Sequence, residues 1–122
     1  MEYLGGNTLE KLINKRRWDN HKFTEEEVRI IMKNIFDALN YLHSNHIMHR
    51  DLKPSNIMFS NYNNLNSLKL IDFGQAYKFS SILDCSPIGL CGTYPYMAPE
   101  QIINAKCTKV LIIRWQICGH AE

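Results

Sequence analysis

Two short polar segments contain most of the residues that could carry out chemistry. Residues 49–56 read His-Arg-Asp-Leu-Lys-Pro-Ser-Asn, and residues 72–74 read Asp-Phe-Gly, directly after the apolar pair Leu70–Ile71. Acidic, basic and amide side chains are costly to bury unless they are paired, and loops between strands carry many functional residues. We therefore predict one polar site built from two loops. By residue type alone, the commoner role of Asp51 and Asp72 is to cap a loop or stabilise a turn.

Three short apolar runs surround these segments and are predicted to be strands. They are Ile47–Met48, Ile57–Phe59 and Leu68–Ile71, each bounded by polar or turn-forming residues. The Asn-rich run 61–66 is predicted to be a hairpin loop, because Asn tolerates the left-handed backbone conformations of tight turns. Over 74–98 the periodicity weakens and Gly and Pro recur, which predicts one long loop, a feature that is often functional.

The sequence predicts two helices before these strands, one over residues 9–16 and one from residue 25 to residue 43 or 44. The first has Asn7 or Thr8 as its candidate N-cap. The second begins after Thr24, which forms a capping-box pattern with Glu27. Apolar residues then recur every three or four positions, which predicts one buried stripe formed by Val28, Ile31, Ile35, Leu39 and Leu42.

Composition excludes several classes of protein. The chain has 122 residues, of which 45% are hydrophobic and 21% are charged, as is typical of one small globular domain and not of a disordered or fibrous protein. A formal net charge of +2 gives no strong attraction to nucleic acid or to an anionic membrane, so neither is predicted as a partner. No apolar stretch approaches the roughly 18 residues of a membrane span.

Cysteine and histidine spacing gives no indication of a metal site. The four cysteines contain no Cys-x-x-Cys pair, and the N-terminal residues show no secretory signal, so we expect reduced thiols and a cytoplasmic or nuclear location. His43, His46 and His49 are evenly spaced, as zinc ligands can be. The predicted helix ends near Ser44, however, so the three rings would not share one face.

The polar segments resemble the signature motifs of the protein kinase family. Residues 49–56 are similar to the catalytic loop, 72–74 to the metal-binding Asp-Phe-Gly motif, and 98–100 (Ala-Pro-Glu) to the motif that closes the activation loop. The three occur in the family's order and with its spacing. The resemblance implies an α+β, protein-kinase-like fold, seen here as an incomplete, mainly helical large (C-terminal) lobe with short β-hairpins. It also implies ATP as phosphate donor and Mg²⁺ as cofactor.

Catalytic roles follow from this resemblance for five residues. Asp51 would orient the substrate hydroxyl or accept its proton, and Lys53 would offset the charge of the transferred phosphate. Asn56 and Asp72 would bind Mg²⁺ through oxygen atoms. Thr93 would hydrogen-bond to Asp51 and Lys53, as in the serine/threonine branch; the alternative is a turn-stabilising hydroxyl. Lys53 points to the same branch, so the predicted partner is a protein substrate with a Ser or Thr acceptor.

Nucleotide contacts are also implied by the resemblance. Residues 1–6 resemble the hinge between the two kinase lobes, where the backbone of Glu2 and Leu4 would hydrogen-bond adenine; an ordinary strand-to-turn start is the alternative. Met58 would pack beneath the adenine ring. The remaining contacts to nucleotide and metal are implied for Lys53, Ser55, Asn56 and Asp72.

Arg50 resembles the arginine of kinases that are regulated through the activation loop. A guanidinium can pair bidentately with a phosphate and so order that loop. The candidate phosphate acceptors are Ser80, Ser81 and Ser86. His49 is expected to pack in the core with Phe73 and so join the catalytic and metal-binding loops. Residues 91–93 are similar to those of the calcium/calmodulin-dependent group.

The same resemblance divides the chain into a hinge (1–6), a large-lobe core (7–100) and a divergent, truncated tail (101–122). The family's Gly-rich loop and phosphate-anchoring Lys do not occur in this sequence, and no acidic residue precedes Trp115 where the family has a bracing Asp. We therefore expect a kinase fragment, such as an incomplete gene model yields, with little activity alone. The alternatives are a non-catalytic pseudokinase or regulatory fragment that binds kinase partners, and a spurious translation that does not fold.

Overall fold

A computed structural model describes residues 5–61, 64–80, 91–99 and 102, together with the strand backbone of 87–89 and 106–108. It contains helices and small antiparallel sheets, which confirms the predicted α+β class. Among the described residues, neither helix combines the length and the apolarity needed to cross a bilayer.

Helix α1 spans Leu9–Trp18, two residues beyond the predicted end. Of the two candidate caps, Thr8 is the N-cap, and its side-chain oxygen accepts a hydrogen bond from the Lys11 N–H at 3.3 Å. Leu9 is buried and Leu12 packs against the same core, so one side of the helix faces the protein.

Helix α2 spans Glu25–Ser44, as predicted, and begins with a complete capping box. Thr24 Oγ1 accepts from the Glu27 N–H at 3.2 Å, and Glu27 Oε2 accepts from the Thr24 N–H at 2.9 Å. A salt bridge from Arg16 to Glu27 connects the two helices, because it joins α1 to the first turn of α2. Three acidic residues in that turn also complement the helix macrodipole.

The buried face of α2 differs from the prediction at one residue. Ile31, Ile35 and Leu42 are buried and Leu39 packs against the core, but Val28 is 46% exposed. The prediction for Val28 was wrong because the described core cluster meets the helix only from Ile31 onwards, past its first turn.

Strands β1 (Ile47–Met48), β2 (Ile57–Phe59) and β3 (Leu68–Leu70) confirm the predicted strands, except that β3 ends one residue early. β2 and β3 pair antiparallel, with Ile57 opposite Leu70. This pairing confirms the hairpin predicted around the Asn-rich run. A single turn of 3-10 helix, Leu65–Ser67, closes its loop.

The prediction of one long loop over 74–98 was wrong. β4 (Tyr77–Lys78) pairs antiparallel with β1, and β5 (Pro87–Gly89) pairs antiparallel with β6 (Lys106–Thr108). Strands of two or three residues are too short for an alternating pattern, and their partners lie far away in the sequence. Local composition therefore could not reveal them.

The main core lies between the two helices and the β2–β3 hairpin. Its buried members are Leu9, Ile31, Ile35, Ile57 and Phe59. A smaller cluster of Met48 and Phe79 lies under the β1–β4 pair. These two clusters fix the short strands in place. The polar segments 49–56 and 72–74 begin just after β1 and β3.

Gly6 lies directly against strand β2. A Cβ atom at Gly6 would fall 2.0 Å from the Phe59 carbonyl oxygen, so no larger residue fits without a backbone shift. The next residue, Asn7, accepts a hydrogen bond from the Phe59 N–H at 3.0 Å, and Thr8 forms an isolated bridge to Met58. The segment before α1 thus runs along β2.

Removing the Thr24 cap is expected to destabilise the fold. Thr24→Ala deletes the acceptor for the Glu27 N–H and should lower the free energy of unfolding by about 1 kcal/mol. Thr24→Ser keeps the oxygen and should stay near the wild-type value. Urea denaturation followed by circular dichroism measures both; an equal loss for the two variants would contradict the capping role.

Candidate active site

The end of the β2–β3 ladder brings the two polar segments together. Ile57 pairs with Leu70, and one step beyond this pair the Ile71 N–H donates to the Asn56 carbonyl oxygen at 2.9 Å. Asp72 follows Ile71 directly. Strand pairing therefore places Asn56 and Asp72 at the same end of the hairpin.

His49 makes a second link between the segments. Its side chain is nearly inaccessible, with Nε2 donating to the Ile71 carbonyl oxygen at 3.0 Å and Nδ1 accepting from the Asp51 N–H at 3.3 Å. Because a carbonyl oxygen only accepts, these bonds select the Nε2–H tautomer. The ring centroids of His49 and Phe73 are 4.9 Å apart, which confirms the predicted contact between the two loops.

Asp51 and Asn56 are buried polar residues in direct contact. The Asn56 amide nitrogen donates to the Asp51 carbonyl oxygen at 2.9 Å and to the carboxylate oxygen Oδ2 at 3.1 Å. Only 9% of Asp51 and 5% of Asn56 is exposed. Both contacts use the Asn56 amide nitrogen as donor, so Asp51 sets the orientation of this amide. The Oδ1 oxygen of Asn56 remains available as an acceptor.

Lys53 and Thr93 complete a cluster around the Asp51 carboxylate. Lys53 Nζ forms an ion pair with Asp51 Oδ2 at 2.8 Å and donates to Thr93 Oγ1 at 2.8 Å. Thr93 Oγ1 in turn donates to Asp51 Oδ1 at 2.6 Å. These are the two hydrogen bonds of Thr93 that the resemblance implied. They join residues 40 and 42 positions apart in the chain.

This environment keeps Asp51 ionised. The hydrogen bond from Lys53, followed by that from Thr93, holds the pKa of the Asp51 carboxyl below its usual value, although burial acts in the opposite direction. The Asp51 carboxyl has a lower pKa in the folded chain than in the unfolded chain. Its ionised form therefore adds to the stability of the fold at any pH above the usual pKa of Asp. This added stability is lost as the pH falls through the lowered pKa.

Gly92 positions Thr93, and sequence reasoning missed this role. Its φ is +110°, a conformation that L side chains rarely adopt, and a Cβ atom there would lie 2.7 Å from the Arg50 carbonyl oxygen. The segment that contains Thr93 can therefore approach the catalytic-loop backbone only with glycine at position 92. The sequence feature that could have indicated this role is that Gly92 directly precedes Thr93.

Asp72 has a left-handed backbone conformation, with a φ of 61°. Its Oδ1 oxygen accepts a hydrogen bond from the Gly74 N–H at 3.2 Å and caps a short 3-10 turn, Phe73–Gln75. This is the turn-stabilising role that residue type alone predicts. The side chain is exposed, and a carboxylate that accepts one hydrogen bond retains capacity for further ligands.

Arg50 contacts the segment that follows Asp72. Its Nε donates to the Gln75 carbonyl oxygen at 2.5 Å, and its guanidinium lies 5.4 Å from the centroid of the Tyr77 ring. Like Asp72, Arg50 has a positive φ, of 64°. Ser80 is exposed three residues after Tyr77.

The other predicted site residues are placed as follows. Ser55 lies half-buried in the 3-10 turn Pro54–Asn56, and Met58 lies half-buried in β2 opposite Lys69. Four of the predicted residues lie outside the described part of the chain: Glu2, Leu4, Ser81 and Ser86.

The cluster and Asp72, which lies at the same end of the hairpin, combine three chemical capabilities. Ionised Asp51 can accept a hydrogen bond from a hydroxyl group, and Lys53 provides a positive charge beside it. Asn56 and Asp72 offer amide and carboxylate oxygens, the hard ligands that Mg²⁺ prefers. Such a combination suits a reaction in which positioning and charge neutralisation matter most.

Loss of the Thr93 hydroxyl is expected to raise the pKa of Asp51. Thr93→Val removes a hydrogen bond to a buried carboxylate, so the pKa should move up and the free energy of unfolding at neutral pH should fall by about 1–3 kcal/mol. Thr93→Ser keeps the hydroxyl and serves as the control. A titration of the Asp51 carboxyl carbon by NMR measures the pKa; identical curves for the valine variant and the wild type would contradict this account.

Comparisons with known proteins agree on one family. A family model described as the protein kinase domain matches residues 1–112, which extends past Glu100 into the region predicted to be divergent. A probable serine/threonine-protein kinase of Dictyostelium discoideum is 37% identical over 96% of this chain. The MAP kinase-interacting serine/threonine-protein kinase 2 of Xenopus laevis is 38% identical over 83% of it.

A probable serine/threonine-protein kinase 2 of Plasmodium falciparum is 42% identical over 82% of the chain. The chain spans only about a fifth of the length of these relatives, with matches that cover 18%, 22% and 18% of them. The match to the family model and the three similarities carry the same conclusion as the motifs: this chain belongs to the eukaryotic protein kinase family, in its serine/threonine branch.

Proposed function

We propose that this chain carries the large-lobe catalytic apparatus of a protein serine/threonine kinase, which transfers the γ-phosphate of ATP to a Ser or Thr hydroxyl of a protein. The observation that carries the proposal is the cluster of Asp51, Lys53, Asn56 and Thr93. In it, an ionised carboxylate is held by an ammonium and an amide from its own segment, residues 49–56, and by a hydroxyl from a distant segment. A non-catalytic binding module would not require this arrangement.

Asp51 acts on the substrate hydroxyl. Its lowered pKa keeps it ionised at neutral pH, so it can accept the hydrogen bond of the incoming hydroxyl and aim the oxygen at phosphorus. Thr93 donates to Oδ1, and Asn56 and Lys53 contact Oδ2. These three contacts restrict the rotation of the carboxylate and so orient it for this task.

Lys53 neutralises charge on the phosphoryl group. Its ammonium already contacts both Asp51 and Thr93, so it lies beside the position at which the substrate hydroxyl would meet Asp51. A fixed positive charge there stabilises the negative charge that spreads over the transferred group. The 23% exposure of the Lys53 side chain leaves room for a phosphate oxygen to reach it.

Asn56 and Asp72 are the proposed holders of magnesium. The Asn56 amide nitrogen is used by Asp51, so its oxygen is the atom available to a cation, and Asp72 adds a carboxylate at the same end of the hairpin. Oxygen donors of this kind fit Mg²⁺ and not a soft metal. When bound, magnesium would offset the negative charge of the ATP phosphates.

The nucleotide would lie along β2. Met58 is half-buried in this strand, and the segment at Gly6 and Asn7 packs directly against it. This supports the expectation that Met58 lies beneath the adenine, with Ser55 nearer the phosphates. The backbone of Glu2 and Leu4 is proposed to hydrogen-bond the base.

Arg50 is proposed to sense phosphorylation of the activation segment. It now contacts the Gln75 carbonyl and the Tyr77 ring, so it already spans from the catalytic loop to the start of that segment. A phosphate on Ser80, Ser81 or Ser86 would offer the guanidinium a stronger, bidentate partner.

Nucleotide binding should depend on Asp72. Calorimetry of the chain with Mg·ATP should show saturable binding that Asp72→Ala weakens at least about tenfold, because one of the two oxygen ligands is lost. Asp37→Ala removes a carboxylate on the exposed face of α2 and should leave binding unchanged. Binding that is indifferent to Asp72, or partner binding without nucleotide, would favour a pseudokinase instead.

Phosphoryl transfer can be tested by grafting. The part of this chain that aligns with the similar Xenopus laevis kinase, 83% of this chain, would replace the aligned segment of that protein, which supplies the rest of the domain. Asp51→Asn should lower turnover of a Ser/Thr peptide by about 10²–10⁴-fold, the usual range for a lost general base. Asp37→Asn is the matched control. A graft that folds and transfers phosphate equally well without the Asp51 carboxylate would refute the proposed role.

A further inference from the structure

Helix α1 has a polar outer surface opposite its packed side. Lys11, Asn14, Lys15 and Trp18 recur at the i, i+3, i+4 and i+7 positions, so they lie on one face of the helix, and all four are exposed. Leu9 and Leu12 lie on the other side, in the core. We refer to the four exposed residues as the α1 outer surface.

Trp18 is the most unusual member of this surface. The side chain is 90% exposed, whereas its size would normally place it largely in the interior. Trp is enriched, together with Tyr and Arg, among the residues that contribute most of the binding energy in protein–protein interfaces. An exposed Trp at the end of a well-formed helix therefore indicates a surface that something else covers.

The charge around Trp18 is concentrated and positive. Residues 11–22 contain five Lys and Arg residues and one carboxylate, Asp19, whereas the whole chain has a formal net charge of only +2. Arg16 pairs with Glu27, but among the described residues no ion pair joins Lys11, Lys15 or another cation of this segment to a carboxylate. The positive charge is left for an external partner.

The helix macrodipole does not account for this pattern. Cations in the last turn of a helix are favourable, which explains Lys15 and Arg17. Lys11 instead lies in the first turn, where a cation is unfavourable, and Trp18 carries no charge. Both residues therefore call for an explanation other than helix stability.

We propose that the α1 outer surface binds an acidic segment of a protein partner that also carries an apolar side chain. Carboxylates would pair with Lys11 and Lys15, and the apolar side chain would pack on Trp18. The four residues extend over only about 10 Å of helix, which fits a short peptide and is small for the basic stripes that bind nucleic acid. The α1 outer surface shares no residue with the cluster around Asp51, so the proposal does not rest on kinase activity.

A labelled short peptide of Asp and Glu with one central Leu is the probe, and fluorescence anisotropy with the full 122-residue chain is the measurement. The wild type should bind it with an affinity that falls as salt rises. Lys11→Glu/Lys15→Glu should raise the Kd at least about tenfold, and Trp18→Ala at least about fivefold. The double reversal Lys33→Glu/Lys78→Glu, on exposed residues outside α1, makes the same charge change and should leave the Kd unchanged.

Circular dichroism checks that each variant keeps its helices. If the charge reversal unfolds the chain, the milder variant Lys11→Gln/Lys15→Gln replaces it as the test. This variant is expected to raise the Kd about threefold. Equal weakening by the Lys33/Lys78 control would overturn the proposal, because it would show only a general charge effect. Equal binding of a peptide with Asn and Gln in place of the acids would also overturn it. So would tighter binding of single-stranded RNA or of phosphatidylserine vesicles than of the acidic peptide.

Discussion

Burial of the Asp51 carboxylate is the constraint around which the polar part of this structure is organised. A charge removed from water is stable only if donors replace its hydration. Lys53 and Asn56 supply donors from the catalytic loop, and Thr93 supplies one from a distant segment. Residues 49–56 and the segment that contains Thr93 thus meet where one anion takes donors from both, and the result is a positioned carboxylate beside a fixed cation.

Features encoded by neighbouring residues could be predicted from the sequence. The capping box at Thr24 and the periodic apolar residues of α2 gave that helix correctly to within one residue at each end. The Asn-rich run between two apolar runs also predicted the β2–β3 hairpin, because Asn tolerates the left-handed backbone conformations of turns. The motif resemblance identified Thr93 as a partner of Asp51 and Lys53, information that no local pattern contains.

Features that depend on distant segments could not be predicted. β4 and the β5–β6 pair are too short to show a period, and each exists because a remote strand satisfies its backbone groups. The exposure of Val28 depends on where the hairpin meets α2. Gly92 and Gly6 are required by close approaches to backbone carbonyls, and a single sequence does not report such distances.

The long sequence separation within the Asp51 cluster has a consequence for folding. Helix α2 and the β2–β3 hairpin involve contacts between near neighbours and can form early, whereas the bonds from Thr93 to Asp51 and Lys53 close loops of about forty residues. Closing a loop of that size costs entropy before any contact repays it. We therefore expect a kinetic order in which a helical and hairpin scaffold precedes the anchoring of residues 91–97. In that order, the active site would be the last of these parts to form.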